Sequence, residues 1–489
     1  MKVRCEQLLS EQILKSDEHR SKTPVDPDVE SARNYVKVRC STTALVIVSL
    51  IILCYIILDS GSRSIQKATH VSCQNPCRIE FVESIPTGLN FSGGPVHRPT
   101  HEAWLDLLSN ANKTIHIAAL YWNLNSSEYP TAEYGRHVYD QLVDAGRRGV
   151  DIRIAQDVSK GLSDNEDSRR LAEKGLAQVR TVDFNRLLGS GVLHTKFIIV
   201  DMMDIYLGSA NMDWKSLAEV KELGVHIQNC PCLAEDLHKI FRVYWHLGKT
   251  GSKIPRTWPA KFETSFNIGS PMEMILKGVK TDVFISVSFC RMNIEFKRRK
   301  ACSPAPFNTK HREHDLQTII ALISSAERTV CVSVMDFIPQ TLYMGNNSYW
   351  PFIDDAIRMA AFRGVSVKLL VSNWEHSRPQ ELVFLKSLIA INDALPRTKR
   401  GKGSIQVKLF TVPATEEQRK IPFARVNHNK YMVTDQTAYV GTSNWAGDYF
   451  ITTAGVGLAM TSHGENGIVQ QLQAIFDRDW DSPYASLIG

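Results

Sequence analysis

Residues Val192–Asp201 read VLHTKFIIVD, and residues Val426–Asp435 read VNHNKYMVTD. Each stretch sets a His-x-Lys pair before an apolar, β-rich run and closes on an aspartate. These are His194, Lys196 and Asp201 in the first copy, and His428, Lys430 and Asp435 in the second. Such a run predicts a buried strand. On a strand, side chains i and i+2 share a face, so each His and Lys point to the same side. A second match follows each stretch, Gly208-Ser209-Ala210-Asn211 and Gly441-Thr442-Ser443-Asn444. A lone histidine is ordinarily a core or surface residue. Two copies of one constellation are not explained that way.

The repetition extends outward from these motifs. HEAWLDLLSNANKTIHIAALYW from His101 resembles HDLQTIIALISSAERTVCVSVMDF from His314, and RRGVDIRIA from Arg147 matches FRGVSVKLL from Phe362. Ile115 pairs with Val330 and Gly149 with Gly364 at an offset of 215, and Gln178 pairs with Gln406 at 228. At the His-x-Lys motifs the offset reaches 234, which places insertions around 370–425 of the second half. Each half reads as alternating helices and strands, an α/β unit with a largely covered sheet. The expected fold is therefore two duplicated α/β halves, 81–275 and 314–489, packed as a pseudo-twofold with equivalent residues meeting at the seam. Residues 276–313, with the basic run FKRRK (Phe296–Lys300), are expected to be a linker whose charges are solvated.

Composition bounds the class. The chain has 489 residues, 43% hydrophobic and 22% charged, enough for an ordinary globular core and unlike a disordered or coiled-coil protein. Net charge is +6 from 57 basic and 51 acidic side chains, too balanced for binding an anion by bulk charge alone. Placed groups must hold it.

One segment adds a membrane. Thr42–Leu58 (TTALVIVSLIILCYIIL) carries no charge. As a helix it spans roughly 26 Å, near the hydrocarbon thickness of an endoplasmic-reticulum bilayer. Arg33, Lys37 and Arg39 precede it and Asp59 follows. Positive residues stay cytoplasmic, so the expectation is a type II protein: a cytosolic tail 1–41, a transmembrane helix 42–58, a stalk 59–80 and the remainder luminal. Sequons at Asn90, Asn112, Asn125 and Asn346 all lie beyond the helix and are candidate glycosylation sites. Cys73 and Cys77, and Cys230 and Cys232, form two close pairs. Four such cysteines could bind zinc, but an oxidising lumen favours disulfides, with three pairings open. Cys331, inside TVCVSV, reads as a buried thiol.

The motif groups suit attack on a phosphodiester. One imidazole can attack phosphorus and form a covalent phospho-intermediate, and another can protonate the departing oxygen. Lys196 and Lys430 supply fixed positive charge for the non-bridging oxygens, with Asn211, Asn444, Ser209 and Ser443 as candidate phosphate-binding groups. An acid behind each histidine would hold its tautomer. Asp201 and Asp435 are the candidates, or else they hold structure at the strand end. With two lysines in the site, no cofactor and no divalent metal are expected. The repeat does not settle which histidine attacks; His428 is taken as nucleophile and His194 as general acid.

H-x-K-x4-D followed by G-S-x-N, present twice, resembles the signature of the phospholipase D superfamily. YLGSANMDWKSLAEVKELGV and YVGTSNW…AGVGL are similar to its type II membrane branch, phospholipase D family members three and four. The resemblance covers the anchor, the stalk cysteines and almost all that follows; the basic 292–301 stretch and the end at Gly489 depart from it. It implies two phospholipase D-like α/β sandwich halves and a lysosomal enzyme that trims single-stranded DNA and RNA from the 5′ end. It also implies passage through the endoplasmic reticulum and Golgi to the lysosome or late endosome, with a released soluble form left open. The competing readings are a phospholipase or transphosphatidylase acting on lipid headgroups, and an inactive scaffold. Trp214, Trp445, Tyr449 and Phe450 could form a platform for bases, or could simply support the loops. The partners expected are single-stranded nucleic acid and the membrane holding the chain's own helix, with phospholipid and a homodimer left open.

Overall fold

The computed structural model describes residues 77–158, 165–288, 309–343 and 347–489. The tail 1–41, the Thr42–Leu58 segment, Cys73, the 292–301 stretch and Asn346 lie outside them. Among the described residues, no helix is long and apolar enough to cross a membrane.

The first sheet is built from β1 (Arg78–Ser84), β2 (Thr114–Ala119), β3 (Asp151–Asp157), β4 (Gln178–Val182), β5 (Phe197–Val200), β6 (Asp204–Gly208) and β7 (Glu222–Gln228). Its order is β1-β7-β6-β5-β2-β3-β4, with the short Arg98–Pro99 strand beside β1. The second sheet contains β8 (Met272–Leu276), β9 (Val279–Val287), β10 (Thr329–Val334), β11 (Ser366–Ser372) and β12 (Ser404–Phe410). It is completed by β13 (Lys430–Thr434), β14 (Thr437–Gly441), β15 (Val456–Ser462) and β16 (Ala485–Leu487). Its order is β8-β9-β15-β14-β13-β10-β11-β12-β16. Without the edge strands β8 and β16, the two orders match strand for strand. β2, β3 and β4 are parallel, as are β10, β11 and β12, and every other pairing in the matched sets is antiparallel. Parallel neighbours need crossovers. These are supplied by α2 (Glu133–Arg147) and α3 (Glu166–Glu173) in one half, and by α6 (Phe352–Phe362) and α7 (Pro379–Ala390) in the other.

The expected linker needs correction. β9 takes the same place beside β15 that β1 takes beside β7, so residues 279–287 belong to the second sheet, and so does β8, which moves Met272–Leu276 out of the expected first half 81–275. β8 precedes it across a two-residue turn in which Lys277 and Gly278 both have positive φ, 51° and 82°, a hairpin turn matched to strand twist. The basic run after Val287 masked this strand, because its charge made the whole stretch read as solvent-exposed.

Side chains alternate across β5. Phe197 and Ile199 enter a core shared by both sheets, while Ile198 and Val200 enter a cluster with Trp104 of α1 (Thr100–Ser109) and Leu142 of α2. α4 (Pro231–Leu247) and α8 (Ile468–Trp480) contribute Leu237, Phe241, Ile475 and Phe476 to the shared core. α5 (Asp315–Ser325), α6 and α7 cover the other face of the second sheet through Ile319, Ile357 and Leu385. Fully burying a side chain such as Phe197 contributes about 1.5–3 kcal/mol. The motif glycines have a packing cause. A Cβ at Gly208 would lie 2.7 Å from the Tyr206 hydroxyl, and one at Gly441 2.6 Å from that of Tyr439, so only glycine lets each ring lie there.

Cys77 and Cys230 form a disulfide between residues 153 positions apart, tying the start of β1 to α4. That pairing crosses the two close pairs seen in the sequence, and it removes both thiolates from any zinc site. Cys232 is also disulfide-bonded. Cys331 is a free, buried thiol whose pKa burial pushes up to about 11. Asn90, Asn112 and Asn125 are exposed, as glycan acceptors must be.

Candidate active site

Short backbone pairings join the two halves at the histidines. His194 N–H donates to the Ala454 carbonyl at 2.8 Å, and Ala454 N–H donates to Val192 at 2.9 Å. In the opposite sense, Lys221 N–H donates to Val426 at 2.9 Å and His428 N–H to Lys221 at 2.8 Å. Each motif is thus held by the segment just ahead of β15 or β7 from the other half. Lys196 Nζ donates to the carbonyl of His194 at 2.7 Å, and Lys430 Nζ to that of His428 at 2.6 Å. This folds each ammonium back beside its own histidine.

The two imidazoles meet unlike acceptors. His194 Nδ1 lies 2.9 Å from the backbone carbonyl of Thr442, which can only accept, so Nδ1 carries the proton and Nε2 keeps its lone pair. His428 Nδ1 lies 2.8 Å from a carboxylate oxygen of Glu222. Burial holds the His194 pKa well below the usual 6.5, and the charges of Lys196, Lys430 and His428 push the same way. Burial also lowers that of His428, but the Glu222 carboxylate opposes it. The lysines are likewise destabilised as cations. Burial and the neighbouring Lys430 depress Lys196, and burial brings Lys430 to about 7 despite Glu222 and Asp336. The site therefore gathers basic groups whose cationic forms burial disfavours and an entering phosphate would favour.

Asp201 and Asp435 do not stand behind the histidines. Asp201 accepts the backbone N–H groups of Asn112, Lys113 and Thr114 at 2.7–2.8 Å, and Asp435 those of Glu327, Arg328 and Thr329 at 3.1–3.3 Å. Each caps the turn leading into the central strand, β2 or β10. Burial would raise the Asp201 carboxyl, but these backbone bonds outweigh it and hold it below the ordinary range. These aspartates are structural.

The other candidates divide. Asn211 is 7% exposed and its Oδ1 has no partner among the described residues. Asn444 already donates to Asp336 at 2.8 Å and to the Tyr449 hydroxyl at 3.1 Å, so its amide is not a free donor. Ser209 Oγ both donates to and accepts from the Leu223 backbone at 3.0–3.1 Å, closing a turn instead of facing a ligand. Ser443 Oγ lies 3.0 Å from Ser288 Oγ, itself bonded to Asp315. Trp214 and Trp445 are 2% exposed, and Phe450 stacks on Trp350 within the core. Of the expected platform only Tyr449 reaches the site, edge-on to His194 with ring centroids 5.0 Å apart.

The residue that the motifs missed is Glu222. It is fully buried in the strand ELGVHIQ, and a carboxylate at such a place needs a partner. That was its signal in the sequence, set against the glycine of AGVGL in the other half.

Two buried histidines and two buried lysines on this α/β scaffold define a phosphodiesterase of the phospholipase D superfamily. The family described as "PLD3/4, PLD-like domain" matches residues 92–415, two thirds of the chain, and the chain belongs to that family. A Caenorhabditis elegans protein named "Probable phospholipase D" is 46% identical over 474 residues, covering 96% of this chain and 81% of its own. Human "5'-3' exonuclease PLD3" is 45% identical over 419 residues, covering 84% and 81%, and the Xenopus tropicalis protein of that name is 40% identical over 494, covering 97% and 93%. Among solved structures, a phosphatidylserine synthase of Haemophilus influenzae superposes with a TM-score of 0.53 at 12% identity, covering 79% of this chain and 85% of its own, a likeness of fold.

Proposed function

We propose that this protein is a 5′-to-3′ exonuclease on single-stranded DNA and RNA, working through a covalent phospho-histidine. The observation that carries the phosphoryl chemistry is the unequal pair of buried imidazoles at one site. The nuclease reading is supported by the close relatives named as 5'-3' exonucleases. We read the matching strand orders as a duplication, with the halves packed as a pseudo-twofold and the site at their seam.

In this account His194 is the nucleophile and His428 the general acid, the reverse of the sequence expectation. His194 is neutral, with Nδ1–H held by the Thr442 carbonyl, so its Nε2 lone pair attacks phosphorus. The bond to the leaving oxygen breaks, and that oxygen takes a proton from His428, whose imidazolium is favoured by Glu222. Lys196, Lys430 and Asn211 stabilise the non-bridging oxygens. Water then gives a proton to His428 as its oxygen attacks phosphorus; the O–P bond forms, the N–P bond breaks, and a phosphate monoester leaves with His194 restored. A chelator is expected to leave this turnover intact.

We further propose a single-pass type II protein delivered to the lysosome or late endosome, anchored by Thr42–Leu58. Glycosidase treatment should lower its apparent mass; a glycan-free product from secretory-competent cells contradicts that topology. The alternative activity, on lipid headgroups, is favoured by the name of the Caenorhabditis elegans relative. Purified protein given single-stranded oligonucleotides and labelled phospholipids side by side separates the two. Release of mononucleotides from the 5′ end is expected, and lipid turnover without oligonucleotide cleavage overturns the nuclease reading.

A further inference from the structure

The loops after β11 and β12 line an open cavity of about 450 Å³, a size suited to one small ligand. It lies beyond the C-terminal ends of parallel strands, where open α/β sheets bind ligands. One wall is anchored at the seam. Arg425 donates to Glu219 at 2.9 Å and to the Thr87 carbonyl at 3.0 Å, and Asn427 N–H donates to Ser372 Oγ at 3.2 Å. Arg425 precedes His428 by three residues, so chain geometry keeps its Cα within about 11 Å of that of His428.

The lining is aromatic with a polar edge. Trp374 is half-buried, and its indole N–H is buried with no partner among the described residues. Its ring meets His376 at 4.7 Å, and His376 meets Phe423 at 4.8 Å, an aromatic row running out of the cavity. Phe423 is 64% exposed and held at a φ of 56°, a conformation that strains a bulky side chain. Asn373, Gln418 and Arg419 complete the polar edge, and Glu375 on the same wall disfavours a free anion. Asn373 Nδ2 donates to Thr411 Oγ1 at 3.0 Å and Gln418 Nε2 to the Thr87 carbonyl at 3.2 Å, so the Trp374 ring and the Arg419 side chain are what this edge offers a ligand. A flat ring with hydrogen-bonding edges matches an aromatic wall beside a guanidinium better than an acyl chain does.

We propose that this cavity is a base-binding subsite for a nucleotide flanking the scissile phosphate. The base sits against Trp374, and the row through His376 to Phe423 guides the next one. The proposal rests on the nuclease reading and makes Trp374 and Phe423 specificity-determining residues. The test compares Trp374→Ala and Phe423→Ala in the full-length protein on two substrates, a single-stranded oligonucleotide and the base-free diester bis(4-nitrophenyl) phosphate. Stacking contributes about 1–3 kcal/mol per base, so Trp374→Ala should raise KM for the oligonucleotide roughly 5- to 150-fold with kcat little changed. Phe423→Ala should act in the same direction and Phe423→Tyr should restore the parent value. Neither change should alter turnover of the simple diester. Phe423 is exposed, so its variants remain decisive if Trp374→Ala does not fold. Unchanged oligonucleotide KM in the folded variants, or equal loss on both substrates, overturns the subsite alone. If the parent cleaves the simple diester but no oligonucleotide, the nuclease reading and this subsite fall together.

Discussion

His194 and His428 stand at equivalent places in two sheets of the same strand order, but what lies behind them differs. Lys221 and Ala454 each pair with the opposite histidine segment, and the next residue is Glu222 in one half and Gly455 in the other. Glu222 reaches His428 Nδ1. A Cβ at Gly455 would lie 2.2 Å from Ser443 Oγ, so that strand has no room for a side chain, and His194 is left with a backbone carbonyl. In the proposed mechanism the matching motifs therefore present one imidazole that burial keeps neutral and one whose protonated form a carboxylate favours. Phosphoryl transfer through a covalent intermediate needs that division of labour.

The largest effect tests whether the pair works as a unit. His194→Asn or His428→Asn should each lower kcat by about 10⁴-fold or more, and the double change should cost little beyond either single one. Multiplying effects in steady-state kinetics would mean that the histidines act separately.

A sharper test alters only what lies behind them. Glu222→Gln should lower the rate roughly 10²- to 10⁴-fold. Thr442→Ser, which leaves the backbone carbonyl in place, should stay within a few-fold. The pH profile of kcat/KM carries the sign. His194 must be neutral, so activity falls as pH drops through its pKa, which lies well below 6.5. His428 must be protonated, so activity falls as pH rises through its pKa, also below 6.5. The optimum therefore lies on the acid side of neutral. Removing the Glu222 charge should move the basic limb to still lower pH and leave the acidic limb in place. An upward move of the basic limb contradicts the assignment of His428 as acid.

Smaller effects concern stability. Cys77→Ala opens a closed loop of 153 residues, and the expected loss is about 2–4 kcal/mol in denaturant unfolding, with KM unchanged. Asp201→Ala leaves three backbone N–H groups without their acceptor and should lower stability by about 1–3 kcal/mol. In the folded fraction kcat should stay within a few-fold, and a collapse of kcat there would return Asp201 to the chemistry. Asp435→Ala should behave alike.

These contrasts mark what was legible in the sequence. The two α/β units were legible as repeated local patterns, because matched runs such as TIHIAA and TVCVSV carry the same periodicity and fall at equivalent positions, whereas the strand order rests on pairings distant in sequence. His194, Lys196, His428 and Lys430 were found by repetition. Repetition also concealed their difference, since Glu222 matters only through a contact with a residue 206 positions away. Asp201 and Asp435 were legible only as two alternatives, an acid behind each histidine or structure at the strand end, and their bonds to the backbone ahead of the central strands decide for the second. The hydroxyls of Ser209 and Ser443 were absorbed by turns and by Ser288, partners that no local pattern announces.

The central claim is the chemical inequality of the two histidines, and trapping tests it most directly. A slowed enzyme quenched in mid-turnover, digested and read by peptide mass should carry phosphate on His194 alone. Phosphate on His428 contradicts the account, and so does the absence of any phospho-histidine when turnover is demonstrated.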